Sequence, residues 1–191
     1  MPVNPVILGG AKTRLRPVRD DDLPQLTAWA NDPDVRYWLH HSDREDATVE
    51  DAREVYMPSD ESRLSLAIEI DAGALIGVIR LIGIDRTHGR AELAIVIGDQ
   101  TAWGRGYGTD AMRVILRHGF EAIGLRRIDL ITDADNERGI RSYEKCGFVR
   151  EGLLRKYRLR HGEPVDMIAM SILSEEFEAQ PTSSDPISEA E

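Results

Sequence analysis

An α/β fold built on a mixed, mostly antiparallel sheet of six or seven strands, with helices on both faces, is what this sequence predicts, and three observations predict it. Three apolar segments, 64–70, 75–84 and 90–97, follow one another across the short turn-rich stretches 71–73 and 85–89, the mark of an antiparallel meander. A glycine-rich loop then opens an amphipathic stretch, 109–123, that leads to another apolar segment, 127–132. A strand, helix, strand unit of that length is a right-handed crossover joining two parallel strands. Two last strand candidates flank the turn His161-Gly162-Glu163-Pro164.

The other elements follow in order. Thr13 to Arg19 reads as a strand, and Asp20, Asp21 and Asp22 then form the acidic start of a helix carrying Leu23, Leu26, Trp29 and Ala30 at helical spacing. A second helical stretch, 34–57, breaks near 41–46 and sets Val49, Ala52, Val55 and Tyr56 on one face. In 109–123 the residues Met112, Ile115, Leu116, Phe120 and Ile123 point inward. A short helix, 137–146, is closed by Gly147 as a left-handed cap.

Length and composition set outer bounds. The 191 residues, 41% hydrophobic and 30% charged, fit one domain over 13–173 with a flexible start at 1–12 and an acidic, disordered tail at 174–191 to which no function is assigned. No apolar run approaches the roughly 18 residues of a membrane span, and the first ten residues are too short and uncharged for a secretory signal, so a soluble cytoplasmic protein is expected. Cys146 is the single cysteine and no Cys/His cluster has zinc-ligand spacing, which disfavours disulfides and a metal site. A net charge of −10 argues against nucleic acid as partner and favours cationic or neutral ones.

Chemistry concentrates in Trp103-Gly104-Arg105-Gly106-Tyr107-Gly108-Thr109-Asp110, between a strand and a helix start. Free N–H groups and the positive end of a helix dipole there suit a phosphate or diphosphate, which lets an acidic protein bind a polyanion. The P-loop pattern fails for want of Gly-Lys-Ser/Thr, and the Gly-x-Gly-x-Gly spacing fails the dinucleotide fingerprint. A loop whose glycines serve packing alone stays open as a reading.

That segment, extended from Ile97 to Ala111, and the later Asn136-Glu137-Arg138-Gly139-Ile140-Arg141-Ser142-Tyr143-Glu144-Lys145-Cys146-Gly147-Phe148, in this order of elements, resemble the GNAT superfamily of acetyl-CoA-dependent N-acetyltransferases. The closest look is to its ribosomal-protein-alanine, polyamine and aminoglycoside branches, over residues 13–173. The resemblance implies a splay between the two central parallel strands that admits acetyl-CoA as co-substrate. Pantetheine would lie along the strand edge at Val96 and Ile97, with the diphosphate on the amides of Arg105, Gly106, Tyr107, Gly108 and Thr109, and Trp103 and Gly104 as further cofactor-binding positions. One departure is Trp103, where the family usually has Gln or Arg, so a polar contact from that side chain is expected to be lost. Arg105, Arg138 and Arg141 can neutralise phosphate or be plain surface charges.

Asn136 suits the N-cap of the helix after it, and the resemblance implies contact with the pantetheine arm as well. Tyr143 is either a core aromatic or, as the resemblance implies, the general acid: a phenol of pKa near 10 can protonate a departing thiolate of pKa about 8.5. Glu92 shares a strand face with Ala94 and Val96 and is either a base for the ammonium acceptor or a strand-start charge paired with Arg90 or Arg80. Asp99 is a second candidate base, with ordinary turn chemistry as the other reading. Cys146 is expected to be packed, since direct transfer in this family needs no acyl-enzyme. His40 and His41 can line an acceptor cleft or a loop, and His88, His118 and His161 form no constellation. The acceptor is a small-molecule amine or a peptide N-terminus, a homodimer through the last strands is possible, and a catalytically silent acyl-CoA sensor or docking module is the alternative to an enzyme.

Overall fold

The chain enters the fold earlier than expected. In the computed structural model, which describes residues 6–39, 46–70 and 73–178, Leu8–Gly9 (β1) already pairs antiparallel with Arg14–Pro17 (β2). Arg63–Ile70 (β3), Ala74–Asp85 (β4) and Arg90–Ile97 (β5) are the expected meander. Arg127–Asp133 (β6), Val149–Arg160 (β7) and Glu163–Leu173 (β8) complete a sheet in the order β1-β2-β3-β4-β5-β6-β8-β7. The mixed, mostly antiparallel sheet therefore has eight strands rather than six or seven, because β1 is only two residues long and leaves no period-2 pattern to read.

Helices lie on both faces. Leu23–Asn31 (α1), Pro33–Arg36 (α2) and Val49–Tyr56 (α3) follow β2, Tyr107–Arg117 (α4) and Glu137–Glu144 (α5) flank β6, and Ser174–Glu178 (α6) ends the described chain. The boundaries expected at 12/13 and 173/174 are thus not where regular structure begins and ends, and Phe177 of α6 packs on the core. Thr48 caps α3 through a reciprocal box with Asp51. The helix expected over 109–123 is α4 followed by a wider turn at His118–Ile123, closed by Gly124 at φ +80°. Leu66, Ile79, Leu81, Ala91 and Leu93 of the sheet pack with Met112, Ile115 and Leu116 of α4 and Ile140 of α5. Ala67 and Val78 face the other way, against Leu23 and Leu26 of α1 and Ala52 of α3. Strand alternation separates these two sets.

A buried ion cluster fixes α1 to the sheet. Arg16 of β2 holds Asp22 at 2.6 and 2.8 Å and Glu69 of β3 at 2.5 Å, with all three side chains under a tenth exposed. Burial pushes the Asp22 carboxyl up, but bonds from the Arg16 guanidinium and the Arg19 amide outweigh it and leave it below the usual range. Asp22→Ala should cost about 3 kcal/mol in urea unfolding at neutral pH, because half of Arg16's compensation is lost in a dry site. A group lowered on folding stabilises above its unfolded value near 4, and that share is lost as pH falls through the lower folded value. The variant should therefore lose less stability on acidification than the parent, and equal acid sensitivity would remove Asp22 from this role.

Candidate active site

The parallel strands β5 and β6 share only three rungs, Arg90 with Arg127, Ala91 with Ile128 and Glu92 with Asp129. Beyond them β5 stays on β4 as far as Ile97 with Gly77, while β6 stays on β8 as far as Asp133 with Met167. The two strands part after Glu92, and the edge of β5 over residues 93–97 is left without a partner on that side. Val96 turns its carbonyl toward β4, 2.1 Å from where a Cβ on Gly77 would stand, and the Gly98 amide donates to the Ile76 carbonyl of β4. Alternation then turns the N–H of Ile97 to the open side and that of Val96 inward. Gly98 has no room for a side chain, since a Cβ would lie 2.1 Å from the Trp29 ring of α1.

The glycine loop closes the mouth of this wedge. Gly104 and Gly106 have φ of +75° and +83°, conformations that exclude most side chains, whereas Gly108 sits inside the first turn of α4 with ordinary space around it. Gly106 is the N-cap of α4 and no side chain caps the helix. The first-turn amides of Tyr107, Gly108 and Thr109 are therefore a donor set for an anion. Trp103 does make a polar contact, contrary to the expectation that one is lost: its indole N–H donates to the Ile97 carbonyl at 2.7 Å. The Arg138 guanidinium lies 3.9 Å from the centre of the Trp103 ring, so it is stacked over the loop, and burial lowers its pKa. Arg105 is exposed in the loop, and Arg141 pairs with Glu137 one turn away at 3.1 Å.

On the far side of the wedge, Asn136 caps α5 by accepting from the Gly139 amide at 3.0 Å and donates to the Thr132 hydroxyl of β6 at 3.2 Å. Tyr143 packs edge-on against Phe148 with ring centres 6.0 Å apart. Burial pushes its phenol up to about 12, with the Thr132 hydroxyl pulling the other way. Thr109 and Ser142 hydroxyls meet at 2.9 Å and tie α4 to α5. Cys146 is buried and its thiol is likewise pushed up to about 12 by burial, which matches a packed residue rather than a nucleophile.

Glu92 stands at the last rung before the strands part. Its neighbours Ala91 and Leu93 face α4, so its side chain projects from the opposite face, toward the side of α1 and α3. It is exposed, yet partial desolvation and then repulsion from Asp129 push its carboxyl above the usual range, with Arg80 pulling back. Arg80 itself lies over the Tyr56 ring at 5.3 Å. Asp99 is used locally, accepting from the Thr101 amide and hydroxyl at 2.9 and 2.7 Å. At the end of β6, Arg158 and Arg160 converge on Asp133 and Asp135, and Arg160 lies 4.3 Å from the Tyr37 ring centre, which roofs this end with the loop after α2. His40 and His41 lie outside the described residues.

The structure thus gathers Ile97, the glycine loop, Asn136, Arg138 and Tyr143 round one wedge and sets Glu92 at its base. Arg80, one of the two partners expected for Glu92, does act on it. Sequence reasoning missed Thr132, Asp129 and Lys12, whose ammonium donates to the Arg105 carbonyl of the glycine loop. The first two sit in an apolar strand run, where spacing marks a face but not a neighbour across the sheet.

A family model described as acetyltransferase (GNAT) domain matches residues 12–149. The spermidine N(1)-acetyltransferase of Escherichia coli strain K12 is 30% identical over 168 residues, covering 87% of this chain and 89% of that protein. That of Vibrio cholerae serotype O1 is 30% identical over 118 residues, covering 62% and 68%. Among solved structures, the spermidine N-acetyltransferase from Vibrio cholerae in complex with CoA and spermine is similar with a TM-score of 0.80 at 25% identity, covering 88% of this chain and 99% of that one.

Proposed function

Since this chain belongs to the GNAT family of acetyl-CoA-dependent N-acetyltransferases, we propose that it moves the acetyl group directly to a primary amine of a small polycation of the polyamine kind. The three-rung parallel ladder is the observation that carries the reading: it leaves the β5 edge open beside an uncapped helix start. These features fit acetyl-CoA, with amides of the 104–109 loop on the diphosphate and the β5 edge at Ile97 on the pantetheine. Bound there, acetyl-CoA supplies an activated thioester.

The chain's own groups do the rest. Glu92 takes the proton from the acceptor ammonium, the freed nitrogen bonds to the thioester carbonyl carbon, and the Ile97 N–H steadies the oxygen that becomes negative. As the carbon–sulfur bond breaks, Tyr143 gives its proton to the sulfur, and the attacking nitrogen releases its second proton to water, from which the phenolate is protonated again. Acid and base lie on opposite faces of the sheet, so the wedge between them is reached from both sides.

A base raised by burial and by Asp129 works only when deprotonated, so kcat/KM should climb with pH through that raised value. Asp129→Asn removes the repulsion and should move this limb to lower pH, while Glu92→Gln should abolish it and lower kcat by about a hundredfold. A limb unmoved in both variants would assign the titration to the acceptor amine and remove Glu92 from the mechanism.

The acceptor class is supported by the likeness to spermidine acetyltransferases and by the net charge of −10, which favours a cation. The test is acetyl transfer to spermidine, spermine, an aminoglycoside and a peptide with a free N-terminus. Polyamines should give the highest kcat/KM. Preference for the peptide would overturn the acceptor class but keep the reaction, and no release of CoA thiol with any amine would favour the silent sensor.

A cytoplasmic location and a homodimer belong to the same proposal. No helix of the described residues is long and apolar enough to cross a membrane. The edge strand β7 shows Val149, Leu153, Tyr157 and Leu159 more than half exposed, a surface for pairing of copies that sedimentation at several concentrations will test.

A further inference from the structure

We infer that Lys12 grips the diphosphate of CoA and that Asp110 is the anchor that puts it there. The inference rests on the assignment of the glycine loop as the CoA site. Residues 10–13 precede β2 and run across the first turn of α4, where the Asp110 carboxylate collects four donors: the amides of Ala11, Lys12 and Thr13 at 3.1, 3.0 and 2.9 Å, and the Thr13 hydroxyl at 2.7 Å. Gly10 allows the approach, since a Cβ there would stand 2.2 Å from an Asp110 oxygen.

Two consequences follow. An acid in the first turn of a helix that receives a diphosphate would ordinarily repel it, but four donors absorb this charge. The backbone of Lys12 is also held in place, so its side chain reaches the loop at a defined point. The Lys12 ammonium donates to the Arg105 carbonyl at 3.2 Å and lies 3.4 Å from where a Cβ on Gly106 would be. It therefore stands beside the N-cap of α4, with two further donors unspent. Among the described residues no carboxylate lies within ion-pair distance of it. A cation so placed adds charge to amides that have only dipole.

Calorimetric titration of CoA and dephospho-CoA into the parent, Lys12→Met, Lys12→Arg and Asp110→Asn tests this, with kcat/KM for S-acetylpantetheine as the phosphate-free readout. Lys12→Met should weaken both nucleotides about tenfold, the order of one charge-assisted hydrogen bond. Lys12→Arg should recover most of that, Asp110→Asn should reproduce part of the loss, and S-acetylpantetheine use by Lys12→Met should be unchanged. Equal affinity of Lys12→Met and parent overturns the inference. So does a loss seen with CoA but not dephospho-CoA, which would assign the lysine to the 3′-phosphate, or an equal loss with S-acetylpantetheine. A parent that binds no CoA is a separate result and sinks the loop assignment itself.

Discussion

Tyr143→Phe should lower kcat by about a hundredfold and leave KM for acetyl-CoA within about twofold, because the change removes a proton donor and keeps the ring. The ring's contact with Phe148 survives, so fold and cofactor affinity have no reason to change. A phenol held at about 12 stays protonated throughout the working range, and no alkaline limb below roughly pH 10 should belong to it. In the proposed mechanism the phenol's proton is drawn to the sulfur as negative charge gathers there. It follows that acetyl thioesters of more acidic thiols, which depart without help, should lose less in the variant than acetyl-CoA does. An unchanged kcat, or an equal loss for every thioester, would exclude Tyr143 as the acid.

How far the site was legible depends on whether a residue's role is set along the chain or across it. The meander could be read because alternation and turn residues are local, and Asn136 because a helix cap is defined by its three following residues. The splay has no such mark. Residues 93–97 and 130–132 are equally apolar whether paired or parted, and only the point where the ladder ends, at Glu92 and Asp129, separates them. Trp103 shows the same limit on a smaller scale. Judged by its side chain against the usual Gln or Arg it looked like a loss, whereas folded it returns a hydrogen bond to Ile97 and a platform for Arg138. Lys12 lay furthest out of reach. Its partners are 93 to 98 residues away, in a stretch whose composition reads as a loose end.

Gly108→Trp should abolish measurable CoA binding, raising Kd by more than about a hundredfold, while thermal unfolding of the free protein stays near that of the parent. The three loop glycines differ in what they supply. Gly104 and Gly106 provide left-handed backbone, so any substitution there strains the turn and confounds the reading. Gly108 has an ordinary helical conformation, and a Cβ on it would meet only the Ile97 and Ile95 side chains at 3.7 to 4.0 Å. Gly108→Ala therefore fits, stabilises the first turn slightly by helix propensity, and should keep Kd for CoA within about threefold. The Cβ of the Trp variant faces Ile95 and Ile97 of β5, so its indole extends toward the space between the α4 start and the β5 edge, where the pantetheine arm passes in the proposed binding mode. Bulk rather than strain is then the cause of failure, and the pair of variants isolates it. Retained affinity in Gly108→Trp would mean that the ligand does not thread between helix and strand. An equal loss in Gly108→Ala would mean that the glycine serves the backbone after all.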